Sequence, residues 1–98
     1  MIIQQTRNHK ELLIALEGRL DTMTAPELEA ALKDAFNGVE ELTFDFEKLD
    51  YISSAGLRVL LATQKTMNRQ GSMKVKNVNE IIMEIFEVTG FTDILTIE

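Results

Sequence analysis

The apolar residues of this chain follow two spacings, one of two residues and one of three to four. Residues 2–5 and the apolar run 12–17 predict two short strands, and the polar residues 8–10 between them predict a turn. In 42–46, a leucine and two phenylalanines alternate with polar residues, as in a strand with one buried face. Two apolar residues in 73–75 predict a further short strand. The chain therefore opens as a hairpin and continues with strands separated by longer segments.

Helical spacing of apolar residues marks the longer segments. The first predicted helix begins after Thr24, the expected N-cap, with Glu27 closing a capping box, and it stops at the Asn-Gly pair 37–38. The second predicted helix follows the segment Ser53–Gly56 and runs to Gln70, and a glycine comes after it. Both helices connect predicted strands, which favours a partly parallel sheet.

The third predicted helix runs from its N-cap Asn79 through Val88, and Gly90 is placed to end it. Its apolar positions are predicted to share one face: Ile81, Ile82, Ile85 and Phe86. Phe91–Ile97 predicts a last short element, helical at first and then a strand. The order β-β-α-β-α-β-α-(β) predicts one α/β domain over residues 1–98, a mixed sheet of four to five strands covered by helices.

Composition excludes several classes of function. The chain has no cysteine, so disulfides, thiolate metal sites and thiol nucleophiles are absent, and one histidine cannot form a two-histidine metal site. A net charge of −6 argues against direct nucleic-acid binding. The sequence has no apolar run of membrane-spanning length and no signal-peptide pattern, so we expect a cytoplasmic protein without a membrane partner. Phosphate-binding loops and nucleophile elbows are missing too, so we expect no enzyme and no cofactor.

Two groups of residues have a structural and a functional interpretation. Asp45, Glu47 and Asp50 form either the solvated face of a strand, which the alternation favours, or a site for a metal ion or a phosphoryl group. The four internal methionines are either core residues, which we expect, or a ligand-binding surface; they are Met23, Met67, Met73 and Met83.

The segment Leu49–Leu61, LDYISSAGLRVLL, is the most informative part of the chain. Two serines follow an apolar approach and directly precede a helix. One interpretation is that Ser53 is an ordinary N-cap and Ser54 a small neighbour. The other is a phosphorylation switch, because a phosphate at a helix start meets free backbone N–H groups and the positive end of the helix dipole.

The helix after the serines has two further features. Arg58, Lys65 and Arg69 share one helix face, which is either a solvated surface or a strip that attracts a partner. Gly56 lies in the first turn, where glycine costs about 0.5–1 kcal/mol relative to alanine. It is explained either by close approach of a partner or by packing within the domain.

Leu49–Leu61 resembles the signature of the bacterial anti-sigma factor antagonists, which are stand-alone STAS domains (sulfate transporter and anti-sigma antagonist). The resemblance extends over nearly the whole chain, through Leu16–Asp21 (LEGRLD), Thr24–Leu28 (TAPEL) and Thr89–Phe91 (TGF). It implies a STAS fold and partner switching. The unmodified protein binds an anti-sigma factor that is also a serine kinase, the kinase phosphorylates a serine at the helix start, and a PP2C-type phosphatase reverses the modification.

The resemblance also implies which residues act. Many family members carry the modified serine at the position where this chain has Ala55, so we predict that Ser54 is the phosphoacceptor, with Ser53 as the alternative. The residues expected to contact the partner are Asp21, Tyr51, Ser53, Ala55, Gly56, Leu57 and Arg58. The alternative function is a STAS scaffold or sensor that binds a protein or small ligand without being phosphorylated.

Overall fold

A computed structural model describes all 98 residues. Its elements, in chain order, are β1 (Ile2–Asn8), β2 (Glu11–Leu20), α1 (Ala25–Ala35), β3 (Glu41–Ile52), α2 (Ser54–Gln70), β4 (Ser72–Lys76), α3 (Glu80–Thr89) and a 3₁₀ turn (Phe91–Asp93). The order predicted from the spacing of apolar residues is confirmed.

The four strands form one mixed sheet in the order β1-β2-β3-β4. β1 is antiparallel to β2, whereas β2, β3 and β4 are parallel to one another. A single parallel bridge between Val75 and Ile97 adds the beginning of a fifth strand beside β4. Because the three central strands are parallel, their carboxyl ends meet at one edge of the sheet, and the loops that lead into α1, α2 and α3 all leave from that edge.

One face of the sheet is buried. Two rows of apolar side chains cross this face in register from β2 to β4. The first row is Leu12, Leu42 and Met73, and the second, two residues further along each strand, is Ile14, Phe44 and Val75. These six side chains and the inward positions of all three helices belong to one cluster of 22 buried apolar residues. All three helices therefore cover the same face of the sheet.

β3 is longer than the alternation of 42–46 predicts. Between Asp45 and Lys48 it contains one residue more than the facing part of β2, and the same happens between Leu49 and Tyr51. These two irregularities are consistent with β-bulges, which place two residues opposite one. They shift the side-chain phase, so that Leu49 and Ile52 point into the core although each follows its predecessor there by three residues.

α3 has the predicted ends. The side chain of Asn79 accepts a hydrogen bond from the Ile82 N–H at 2.8 Å, and Gly90 ends the helix with a positive φ of 79°. The predicted apolar face is only partly correct. Ile82 and Phe86 are fully buried, but Ile81 is 59% exposed, because it lies beside the face that meets the sheet.

Candidate functional site

The ends of β2 and β3, which lead into α1 and α2, are joined by a hydrogen bond at the carboxyl edge of the sheet. The Ser53 N–H, just before α2, donates to the Leu20 carbonyl at the end of β2 at 2.9 Å. The next residue on each side is Asp21 and Ser54. Two positions that are 33 residues apart in the chain are therefore brought close together.

The two serines have different environments. Ser53 occupies the N-cap position of α2, with extended backbone angles, but its side chain makes no capping hydrogen bond. Its hydroxyl oxygen is buried and has no hydrogen-bond partner. Ser54, the first helical residue, is exposed. The first turn of α2 contains no acidic residue and no side chain caps it, so the orphan N–H groups of this helix start have no side-chain partner.

Asp21, rather than Thr24, organises the start of α1. The capping box predicted for Thr24 and Glu27 is wrong, because the Thr24 side chain makes no capping bond. The Asp21 carboxylate instead accepts hydrogen bonds from the backbone N–H groups of Met23 at 3.0 Å and Thr24 at 3.2 Å. The Thr24 hydroxyl is turned back and donates to the Arg19 carbonyl at 2.7 Å. The result is a tightly bonded loop.

The pKa of the Asp21 carboxyl is lowered. Partial burial acts in the opposite direction, but it is outweighed by the hydrogen bonds from the Thr24 and Met23 N–H groups and the Thr24 hydroxyl, and by the charge of Arg19. The Asp21 side chain is 29% exposed, and one carboxylate oxygen lies 3.8 Å from the Arg19 Nε. Asp21 is therefore an anion at neutral pH beside Ser54.

Arg19 joins this cluster and was not predicted from the sequence. Its guanidinium lies 4.6 Å from the centre of the Tyr51 ring, which is a cation–π contact. Arg19 and Tyr51 are register partners across β2 and β3. In the sequence, the only indication of a role for Arg19 was its position two residues before Asp21. Its contact with Tyr51 depends on the register between β2 and β3, which the sequence does not show.

A shallow groove of about 260 Å³ runs between α1 and α2 beside Ala55. Its lining residues are Thr22, Ala25, Pro26, Glu29, Ala55, Arg58 and Val59.

Met23, in the loop that leads into α1, is 84% exposed, so the expectation that it is a core residue is wrong. Met67 and Met73 are buried as predicted. The loop 21–24 and the first turn of α2 together form a continuous surface, which we call the serine edge (Asp21–Thr24, Ser54, Ala55 and Arg58).

Two residues predicted to contact a partner lie inside the domain. A methyl group on Gly56 would come within 2.7 Å of Leu20 and 2.8 Å of Ile52, both of which are fully buried. Leu57 is only 7% exposed. Direct contact of Gly56 and Leu57 with a partner does not fit this burial, and packing within the domain explains the glycine.

Arg58, Lys65 and Arg69 are all exposed on α2 and take part in no salt bridge. Arg58 is one helical turn from Ser54, so the two side chains project from the same face. The other two cations continue the strip away from the serine edge.

Among the acidic residues at 45–50, Asp45 is held by hydrogen bonds within the domain. The Asp45 carboxylate accepts hydrogen bonds from the Asn77 side chain at 2.9 Å and the Glu47 N–H at 3.0 Å. Burial opposes ionisation, but these bonds and the charge of Lys76 lower the pKa of Asp45. No group of three or more histidine, cysteine, aspartate or glutamate residues is placed to hold a metal ion. None of the helices combines the length and apolar character needed to cross a membrane.

Comparison with known proteins gives a consistent result. The family model described as Mlab, STAS domain matches residues 3–96. BtrV of Bordetella bronchiseptica is 35% identical over 88 residues, which are 88% of this chain and 76% of that protein. The anti-sigma-B factor antagonist of Staphylococcus aureus is 30% identical over 95% of this chain and 88% of its own length.

Solved structures share the fold. An anti-sigma factor antagonist from Mycobacterium paratuberculosis has a TM-score of 0.89 at 20% identity, over 98% of this chain and 83% of that one. The antagonist SpoIIAA in its unphosphorylated form has a TM-score of 0.77 at 18% identity, over 99% of this chain and 87% of that one.

Proposed function

Because the chain belongs to the STAS domain family, we propose that it is an anti-sigma factor antagonist that acts in the cytoplasm. In this proposal the unmodified protein binds an anti-sigma factor that is also a serine kinase. Phosphorylation of Ser54 by that kinase releases the partner, and a PP2C-type phosphatase restores the unmodified state. The protein is a binding module and a kinase substrate rather than an enzyme.

The names of its relatives support this proposal. The similar proteins of Bacillus subtilis and Staphylococcus aureus are both anti-sigma-B factor antagonists, 29% and 30% identical to this chain. The fold neighbour SpoIIAA has been solved in an unphosphorylated and a phosphorylated form. A STAS domain of this shape can therefore exist in both states.

The observation that carries the choice of residue is the contrast between the two serines. A kinase must reach the hydroxyl oxygen, and the oxygen of Ser53 is buried whereas Ser54 is exposed. Ala55, at the position where many family members are modified, has no hydroxyl. Ser54 is therefore the serine of this pair that a kinase can reach without local unfolding.

The surroundings of Ser54 favour release of a partner after phosphorylation. A phosphate adds a charge of about −1.5 to −2. In the free protein, the open first turn of α2 stabilises this charge, typically by about 0.3–1 kcal/mol. In a closed interface, an unpaired buried charge costs about 3–5 kcal/mol, which is roughly two to three and a half decades of affinity. The cost in the complex exceeds the gain in the free protein, so the modified form dissociates.

Asp21 and the Arg19–Tyr51 pair have a supporting role in this proposal. Asp21 holds the loop 21–24 in one conformation, so the partner meets a surface that is already ordered. Tyr51 lies under the Arg19 guanidinium at the same edge. Gly56 and Leu57 pack inside the domain, beneath the exposed residues of the serine edge, and do not touch the partner in this proposal.

The proposal is tested with the purified protein, ATP and an anti-sigma factor serine kinase encoded in the same genome. Intact-mass spectrometry should show the gain of one phosphate, and peptide mapping should place it on Ser54. Complex formation with the kinase, measured by calorimetry without ATP, should be strong for the unmodified protein and lost after phosphorylation.

Two matched variants make the result decisive. Ser54→Ala should bind the kinase but gain no phosphate, whereas Ser53→Ala should bind and be phosphorylated normally. Phosphate on Ser53 would contradict the assignment of Ser54. Strong binding without any phosphate transfer would favour the alternative, a STAS scaffold that works without modification.

A further inference from the structure

α3 exposes an apolar stripe, of which only the middle residue, Ile85, also packs against the core. Ile81 is 59% exposed and Val88 is 78% exposed, with the half-buried Ile85 between them. The spacings of four and three residues place the three side chains within about 60° of one another, over about 10 Å of helix. α3 is held to the sheet by other residues, Ile82 and Phe86, which are fully buried. The stripe is a contiguous exposed patch, unlike a single exposed apolar side chain.

The stripe lies in a strongly acidic part of the molecule. Residues 77–98 contain five acidic residues and no lysine or arginine; the acids are Glu80, Glu84, Glu87, Asp93 and Glu98. The three glutamates on α3 are all exposed. By contrast, residues 52–76 contain five lysines and arginines and no acid. The acidic border of the stripe is therefore a local feature and not only a consequence of the net charge.

This charge pattern restricts what can cover the stripe. A second copy that packed α3 against α3 would bring the same glutamates together, and like charges at short distance oppose association. Anionic lipid and nucleic acid are repelled for the same reason. A helix with apolar residues spaced like those of the stripe, flanked by lysines and arginines, complements both its shape and its charge.

We infer that α3 binds a cationic amphipathic helix of a partner protein through Ile81, Ile85 and Val88, on a surface distinct from the serine edge. The inference does not depend on phosphorylation of Ser54. The stripe lies on α3 alone and shares no residue with the serine edge.

The test uses the ¹⁵N-labelled full chain and a synthetic amphipathic Leu/Lys helix as the probe. Titration followed by NMR should shift the amide signals of residues 80–89. The double variant Ile81→Ser, Val88→Ser should bind at least about tenfold more weakly, because it loses two apolar anchors. Ile2→Ser is the matched control, since Ile2 is 52% exposed, close to the exposure of Ile81, and lies on β1 outside both α3 and the serine edge. It should bind like the wild type.

Two further measurements separate the stripe from general attraction between charges. A peptide of the same composition, scrambled so that the leucines do not share a face, should bind at least about tenfold more weakly. Glu84→Lys, which keeps the stripe, should weaken binding of the Leu/Lys helix. Equal binding of the scrambled peptide, or signal shifts spread over residues 1–50, would overturn the inference. Dimers that the double variant abolishes, or binding to anionic phosphatidylglycerol vesicles through α3, would overturn it as well.

Discussion

Replacing Gly56 by alanine tests whether this glycine serves packing or partner binding. The added methyl group would lie 2.7 Å from Cγ of Leu20 and 2.8 Å from Cγ1 of Ile52. Both atoms are near the backbone of fully buried residues, so neither can move away without displacing the core. Overpacking of this kind costs about 1–3 kcal/mol. Glycine-to-alanine exchange in a helix gains about 0.5–1 kcal/mol.

The free energy of unfolding should therefore fall, by up to about 2.5 kcal/mol, although helix propensity alone predicts a rise. In a domain of this size, each kcal/mol lowers Tm by about 4–8 °C. Urea denaturation measures the loss directly. Ala62→Gly, at an exposed position of the same helix, isolates the propensity effect, because no side chain is crowded there.

Affinity for the kinase partner decides between the two explanations. If packing explains Gly56, the folded Gly56→Ala protein binds its partner as the wild type does. A variant that is as stable as the wild type, or more stable, would refute the packing argument. If that stable variant also lost the partner, close approach of the partner to Gly56 would be the correct explanation.

Three further outcomes are expected. Ser54→Asp should weaken partner binding less than phosphorylation does, because aspartate carries about half the charge, and calorimetry compares the two. Arg58→Glu should slow association and reduce its dependence on salt in stopped-flow measurements, whereas Arg69→Glu, about 16 Å further along α2, should have a smaller effect; equal effects would leave only a general charge contribution. Asn77→Ala should raise the pKa of the Asp45 carboxyl in an NMR titration. Since that pKa is lowered in the folded protein, the stability that Asp45 contributes is present above the ordinary aspartate range and is lost as pH falls through the folded pKa. An unchanged pKa would contradict the role of Asn77.

Local signals predicted the elements where a single residue decides the structure. Asn79 and Gly90 set the ends of α3 through their own backbone and side-chain properties, and no distant contact is needed to recognise them. The alternation in 42–46 identified β3 for the same reason.

Features that depend on distant residues could not be predicted in this way. Thr24 is a good capping residue by type, but its hydroxyl donates to the Arg19 carbonyl instead of capping the helix. Its backbone N–H donates to the Asp21 carboxylate. The extension of β3 depends on irregular pairing with β2, which leaves no mark in β3 itself. In the candidate site, Asp21 and Ser54 were selected through the resemblance to a known family, whereas the burial of the Ser53 hydroxyl oxygen and of Gly56 required the packed structure.

The open start of α2 at the serine edge gives unmodified and phosphorylated protein different long-range fields. This helix N-terminus is equivalent to about half a positive charge, and Arg58 adds one more, while Asp21, which already binds the N–H groups at the start of α1, is balanced by Arg19. A phosphate of about −1.5 to −2 charges cancels this sum almost completely. Phosphorylation thus neutralises a positive edge rather than creating a negative one. An approaching acidic partner would no longer be guided, and added salt, which screens only long-range forces, would not restore the complex.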